Sequence, residues 1–333
     1  MTGLFSLRSC RLRACATVNV HLKMRVMNRK YVNYKKVQHL ICDWDGTIAS
    51  FHNWFSPAMR DIVDYLSRRL YVSKEEVGVA LAVNMRWANS HECSFPFLGP
   101  WFKSQWHGTN AEFVREITGP YFEMLDSTRE RFLTGHPGSL EALEEAARLG
   151  VGLSLLSDAP LYATMAKAVH LKVNHLLCGV YALEVREPDA SLVWNQADHD
   201  FCLARTKRYL SLADKFNRAV PVPYHMEKPN TGGAQMILRD CGAEADRTVI
   251  IGDNLLKDGG VGKAMGFRFV WARYGATDYA APEYRYVLET LLHDHQEKPF
   301  TWVQPPAELP PVDIEAPTFG AVIPLLSRWR KPA

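Results

Sequence analysis

No apolar run in the 333 residues approaches the roughly 18 that a membrane-spanning helix needs. The sequence therefore carries no span of that kind. No segment repeats at a fixed period, which removes solenoids and propellers. The seven cysteines form no C-x-x-C pair and no Cys/His spacing of the zinc type. Neither a redox dithiol nor a structural zinc site is expected, and the pattern fits small buried side chains in a reducing, cytoplasmic setting. A glycine-rich run, Gly259-Gly260-Val261-Gly262-Lys263, lacks the parts of a phosphate loop: Lys257 stands where a glycine is needed, and Ala264 where Ser or Thr is. It reads as a helix packed closely on a sheet. His91-Glu92 has no second histidine to make a zinc-protease helix.

Acidic residues are missing from one place only. Residues 1–36 hold nine Lys/Arg and no Asp or Glu, leaving 30 basic against 36 acidic residues in the rest. The body is thus mildly acidic, which argues against a nucleic-acid partner. The leader has no secretory apolar core. Its composition resembles that of an organelle transit peptide, but it reads better as a disordered arm or as sequence ahead of a start at Met24 or Met27.

What is present begins with V-Q-H-L-I-C-D-W-D-G-T, residues 37–47. An apolar strand ends at two carboxylates, Asp43 and Asp45, before the turn residue Gly46. In extended backbone residues i and i+2 point to the same side. Two such acids suit a nucleophile beside a general acid/base, with a divalent cation relieving their repulsion.

After Thr47 the pattern is helical for about 85 residues. Ser56-Pro57 is expected to open a helix to residue 70. Ser73 and Glu76 form a capping-box pattern for a helix to residue 89. An aromatic loop follows, then helices over 110–117 and 120–133. From residue 135 short apolar strands alternate with helices: strands at 151–156, 176–181, 248–251 and 267–272, and helices at 139–149, 160–170, 230–241 and up to 265. This alternation predicts an α/β fold, a doubly wound, mostly parallel, Rossmann-like sheet with an inserted all-helical block. Ligands in such sheets gather at the carboxyl ends of strands, and three of those ends carry Asp43/Asp45, Ser157 and Asp253. Residues 184–222 are ambiguous apart from a helix near 197–212. The last 35 residues hold eight of the 19 prolines and read as a surface arm or loose tail, with Trp302, Ile323 and Trp329 as docking points.

Four motifs in this order resemble the haloacid dehalogenase (HAD) superfamily in its phosphatase branch. They are D-W-D-G-T at 43–47, L-S-L-L followed by Ser157, Lys228-Pro229, and I-I-G-D-N-L-L-K-D ending at Asp258. The resemblance implies a core of residues 37–48 and 135–294, a helical cap of 49–134, the leader 1–36 and a Pro-rich arm 295–333. It implies Asp43 as nucleophile, giving an aspartyl-phosphate, and Asp45 as general acid/base. Mg²⁺ would be held by Asp43, the Asp45 carbonyl and Asp253, with Asp258 as ligand or support. Ser157, Gly46, Thr47, Asp158 and Asn254 would bind or orient the phosphoryl group, and Lys228 would sit between nucleophile and phosphate. The implied activity is hydrolysis of a small phosphorylated metabolite. A phosphomutase using the same residues, or a non-catalytic phosphate binder, are the alternatives. The second aspartate favours phosphate esters, since the family's dehalogenases lack it. Trp54, Trp87, Trp101 and Trp106 read as cap core rather than pocket lining. His52, Asn53, Arg60, Arg86 and His107 are candidates for the substrate's distal end.

Overall fold

The computed structural model describes residues 37–278, 310–323 and 326. The basic leader lies outside them, as do Trp302 and Trp329.

Seven strands form one sheet: β1 (His39–Cys42), β2 (Gly152–Pro160), β3 (Gly179–Leu183), β4 (Ala219–Val222), β5 (Thr248–Gly252), β6 (Arg268–Ala272) and β7 (Ile314–Ala316). Their order is β4-β3-β2-β1-β5-β6-β7 and every pairing is parallel. β1 and β5 are buried at every position, which is why HLIC and TVIIG read as unbroken runs: helices cover both faces of a parallel sheet. The chain winds outward from β1 through β4, then returns to β5 on the other flank. The order reverses between β1 and β5, and there the loops diverge to leave a crevice.

Between β1 and β2 the described chain is helical: α1 (His52–Leu70), α2 (Lys74–Ala88), α3 (Pro100–Gln105), α4 (Asn110–Phe113) and α5 (Gly119–Phe132). The Ser73/Glu76 capping box is formed at the start of α2. Two expectations need correction. α1 starts at His52, with Ser56 buried and Pro57 inside it. The cause is aromatic packing: Phe51 stacks on Phe55 at 4.5 Å and meets Trp54 edge-on at 5.6 Å, so the helix extends back to bury them. The two helices expected over 110–133 are one, joined by a π turn at Val114–Thr118. Phe97 packs edge-to-face on Phe102, Phe113 and Tyr121, and this aromatic core is continuous with one face of the sheet. Trp54 is fully buried there, and Trp87, Trp101 and Trp106 pack at its margin.

The remaining helices are α6 (Ser139–Arg148), α7 (Leu161–His170), α8 (Gln196–Leu210), α9 (Gly232–Cys241), α10 (Asp258–Met265) and α11 (Arg273–Asp278). The glycine run does pack closely: a Cβ on Gly262 would come within 3.1 Å of Ile250, and one on Gly260 within 2.7 Å of Pro229. Two strands escaped the sequence pattern, β4 and β7. No described helix is long and apolar enough to cross a membrane.

Candidate active site

The crevice beside β1 holds the motif residues. Asp43 follows β1, and its N–H donates to the Ile251 carbonyl of β5 (2.9 Å). This bond sets the end of β1 against the end of β5, where Asp253 emerges. Asp258, at the start of α10, turns back toward the same point. A Cβ on Gly252 would lie 2.1 Å from the Asp258 carboxyl, so only glycine there lets this side chain approach. Carboxylate oxygens of Asp43, Asp253 and Asp258 lie within 4.8 Å of one another, and all three residues are buried. Lys228 crosses from the loop after β4, its Nζ donating to Asp43 Oδ1 and Asp258 Oδ1, both at 2.7 Å. Burial alone would lower the ammonium pKa, but Asp258 and Asp43 outweigh it and raise it well above the ordinary lysine value. Burial pushes the Asp258 carboxyl up to about 7, against the opposing pull of Lys228.

Asp45 faces a different partner. Its Oδ2 accepts from Lys167 Nζ at 2.6 Å, and the same ammonium donates to Glu92 Oε2 at 2.6 Å. Burial pushes the Asp45 carboxyl up to about 7, with Lys167 opposing and Glu92 adding to it. Asp45 Oδ1 is buried and has no hydrogen-bond partner among the described residues.

These groups open into a cavity of about 280 Å³. Asp43, Asp45, Ser157, Asp158, Lys228, Asp253, Asn254 and Asp258 all line it. Ser157 is buried, its Oγ accepting from the Ala159 N–H (3.1 Å). Asp158 accepts from the Lys228 N–H (3.0 Å) and pairs with Lys257 (3.0 Å). The Asn254 side chain is spent on the turn, accepting from the Leu256 and Lys257 N–H groups. Gly46 and Thr47 do not line the cavity. Gly46 makes the turn at φ 77°, and Thr47 is fully buried, its carbonyl accepting from Tyr274 Oη (2.8 Å). Of the distal candidates only Arg86 reaches the wall; Met85 joins it from α2, and Asn89, Ser90, His91 and Glu92 from the loop after it. None of the four tryptophans does. Asn89 Nδ2 donates to Glu227 Oε2 at 2.6 Å, tying that segment to the residue before Lys228.

Sequence reasoning missed Lys167 and Glu92. The signal for Lys167 was a lone charge inside LYATMAKAVH, a helix buried from Leu161 to Ala168. Glu92, in an irregular loop, gave none.

Seven carboxylates line the cavity against Arg86, Lys228 and Lys257. Clustered carboxylates with too few cations are costly to keep ionised. The buried triad supplies only hard oxygen donors, which fits a divalent cation of the Mg²⁺ or Ca²⁺ type.

Residues 225–293 match the family model Hydrolase_like, described as HAD-hydrolase-like. That segment contains Lys228, Asp253 and Asp258. Solved structures similar to the chain include a HAD phosphatase from Thermococcus onnurineus, at 20% identity over 70% of this chain and 85% of that one, TM-score 0.41. A predicted phosphoglycolate phosphatase from Haemophilus somnus 129pt matches at 12% identity over 73% and 86%, TM-score 0.41. The L-2-haloacid dehalogenase from Xanthobacter autotrophicus matches at 13% identity over 87% and 98%, TM-score 0.43. No curated protein matches.

Proposed function

We propose that the chain is a Mg²⁺-dependent phosphomonoesterase that hydrolyses a small phosphorylated metabolite through an aspartyl-phosphate on Asp43. The observation that carries this reading is the parting of the two motif carboxylates. Asp43 joins the triad on Lys228, while Asp45 is held apart on Lys167 with its pKa pushed up to about 7. Two carboxylates in unlike environments take unlike roles.

In the first step an Asp43 carboxylate oxygen attacks phosphorus, the bond to the ester oxygen breaks, and Asp45 protonates the leaving alcohol. In the second, Asp45 takes a proton from water, whose oxygen attacks phosphorus; phosphate leaves and the Asp43 carboxylate is restored. Lys228 holds Asp43 in place, and the Ser157 hydroxyl donates to a phosphoryl oxygen. Asp43, Asp253 and Asp258, with the Asp45 carbonyl, would hold Mg²⁺, which would supply the charge that lets a phosphate approach these acids. Cleaving a carbon–halogen bond leaves halide and needs no acid, so the Asp45 arrangement favours esters over haloacids.

The cavity is small beside the roughly 300–1,000 Å³ of ordinary ligand pockets, and the Asn89–Glu227 bond joins two parts of its wall. Both features favour a small metabolite over protein, nucleic acid or membrane partners. On this reading residues 49–134 act as the cap, and the enzyme works in the cytoplasm.

The test is phosphate release from a panel of phosphorylated metabolites, with and without Mg²⁺. Release should require the metal and fall to background in Asp43→Asn. Release that persists in that variant refutes the nucleophile. Isomerised rather than free phosphate by phosphorus NMR would convert the hydrolase to a mutase.

A further inference from the structure

The reaction just described makes no use of one buried cation. Lys167 lies on α7 and is fully buried, and it joins Asp45 on the motif loop to Glu92 on the loop after α2. The Glu92 side chain is 4% exposed. Its main-chain carbonyl also accepts from Tyr162 Oη on α7 at 2.8 Å, so Glu92 is tied to α7 twice. The Phe51 ring lies 5.8 Å from the same ammonium. Taking a lysine out of water costs several kcal/mol unless well-placed partners offset it. Here two carboxylates do so, and only while all three groups stay together. Lys167 holds Asp45 by Oδ2, and the Asp45 side chain, 21% exposed, lines the cavity. A carboxylate bonded to a fully buried ammonium is held in one orientation.

We propose that Lys167 and Glu92 form a clamp that positions Asp45 for proton transfer, in place only when the Glu92 loop is seated on α7. The proposal rests on the phosphomonoesterase reading. Neither residue touches a reacting atom, and both are positioning residues. As the ester bond breaks, the proton passes from the Asp45 carboxyl to the leaving oxygen while Lys167 keeps the carboxyl in place. The helical block thereby contributes to chemistry as well as enclosure, because its seating and the placement of the acid are one event.

The experiment compares kcat/KM for phenyl phosphate and p-nitrophenyl phosphate in the Mg²⁺-loaded enzyme. Phenolate departs poorly without a proton, whereas p-nitrophenolate departs well. Lys167→Met should lower kcat/KM for phenyl phosphate about tenfold more than for p-nitrophenyl phosphate. Lys167→Arg should recover part of that difference, and Glu92→Gln should show a smaller bias of the same sign. Equal losses on the two esters are what a merely structural role produces, and they overturn the clamp. If Lys167→Met fails to give a cooperative melt, the ratio for Glu92→Gln decides in the same way. Wild-type turnover of neither ester, or turnover surviving Asp43→Asn, overturns the phosphomonoesterase reading and the clamp with it. Turnover lost in Asp43→Asn with an unchanged ester ratio in the clamp variants overturns the clamp alone.

Discussion

A single residue separates Asp43 from Asp45, yet each has its own lysine. The motif loop alone explains their nearness; Lys228 and Lys167, 61 positions apart in the sequence, explain their difference. Lys228 was legible because it precedes a proline in a recognisable motif. Lys167 was not, because its meaning depends on where α7 lies against the helical block. A third buried acid shows the same dependence on packing. Asp198, in the first turn of α8, is 4% exposed. Thr118 Oγ1 donates to its carboxylate, and its own N–H donates to Asn195 Oδ1 at 3.1 Å. Burial pushes its pKa up to about 7 from 3.8, with Thr118 opposing. In this window the unfolded chain has lost the proton and the folded chain keeps it, so stability falls as pH rises from about 4 to about 7. The loss is on the order of a few kcal/mol. Melting temperature against pH should therefore decline more steeply in this range for the wild type than for Asp198→Asn, which cannot ionise. Parallel curves would mean that Asp198 stays ionised in the folded protein.

At the scale of elements, what carried local chemistry could be read and what depended on a partner could not. The capping box before α2 and the buried runs of β1 and β5 stand in the sequence itself. β4, Ala-Val-Pro-Val, is half exposed and contains Pro221; a proline is tolerated at a sheet edge, and β4 is an edge strand. β7 is three residues long at the opposite edge. The proline interrupts the apolar run of β4, and β7 lies in a short alternation inside a proline-rich stretch, so neither stands out as a strand. α11 is the element whose position matters most to the site. A Cβ on Gly275 would stand 1.5 Å from the Gly46 carbonyl oxygen and 3.0 Å from Asp253 Cβ, so α11 lies directly behind the motif turn. Gly275→Ala must push either α11 or the turn, since the clash is with backbone. It should cost about 1–3 kcal/mol of stability and lower kcat at least tenfold by shifting Asp43 and Asp253 together. Gly320→Ala, whose Cβ meets nothing nearer than 3.9 Å, is the control. Melting and steady-state kinetics on the pair check this, and a Gly275→Ala enzyme with wild-type kcat would show that the turn yields without moving the carboxylates.

Across the whole molecule, the proline-rich end of the chain bears on the catalytic crevice through the sheet. It was read as a surface arm or a loose tail, yet its described part adds β7 to β6. Asp313 exchanges bonds with Phe269, accepting at 2.9 Å through Oδ2 and donating its own N–H at 3.1 Å. Arg273, at the start of α11, pairs with Glu315 at 2.6 Å. Ala316, Phe319, Val322 and Leu326 are buried. β6 runs straight into α11, so whatever steadies β6 steadies the backing of Gly46. Deleting residues 310–333 exposes the β6 edge and removes three large apolar side chains from the core, on the order of 5 kcal/mol at about 1.5–3 kcal/mol each. The shortened protein should melt well below the full chain. Its kcat should fall even at temperatures where it remains folded, because α11 loses its pairing to β7. Mg²⁺ should raise its melting temperature less than it raises that of the full chain, since two triad members, Asp43 and Asp253, sit beside the loosened turn. A shortened protein that melts lower but keeps full kcat and the full Mg²⁺ shift would confine β7 to stability and separate the sheet edge from the site.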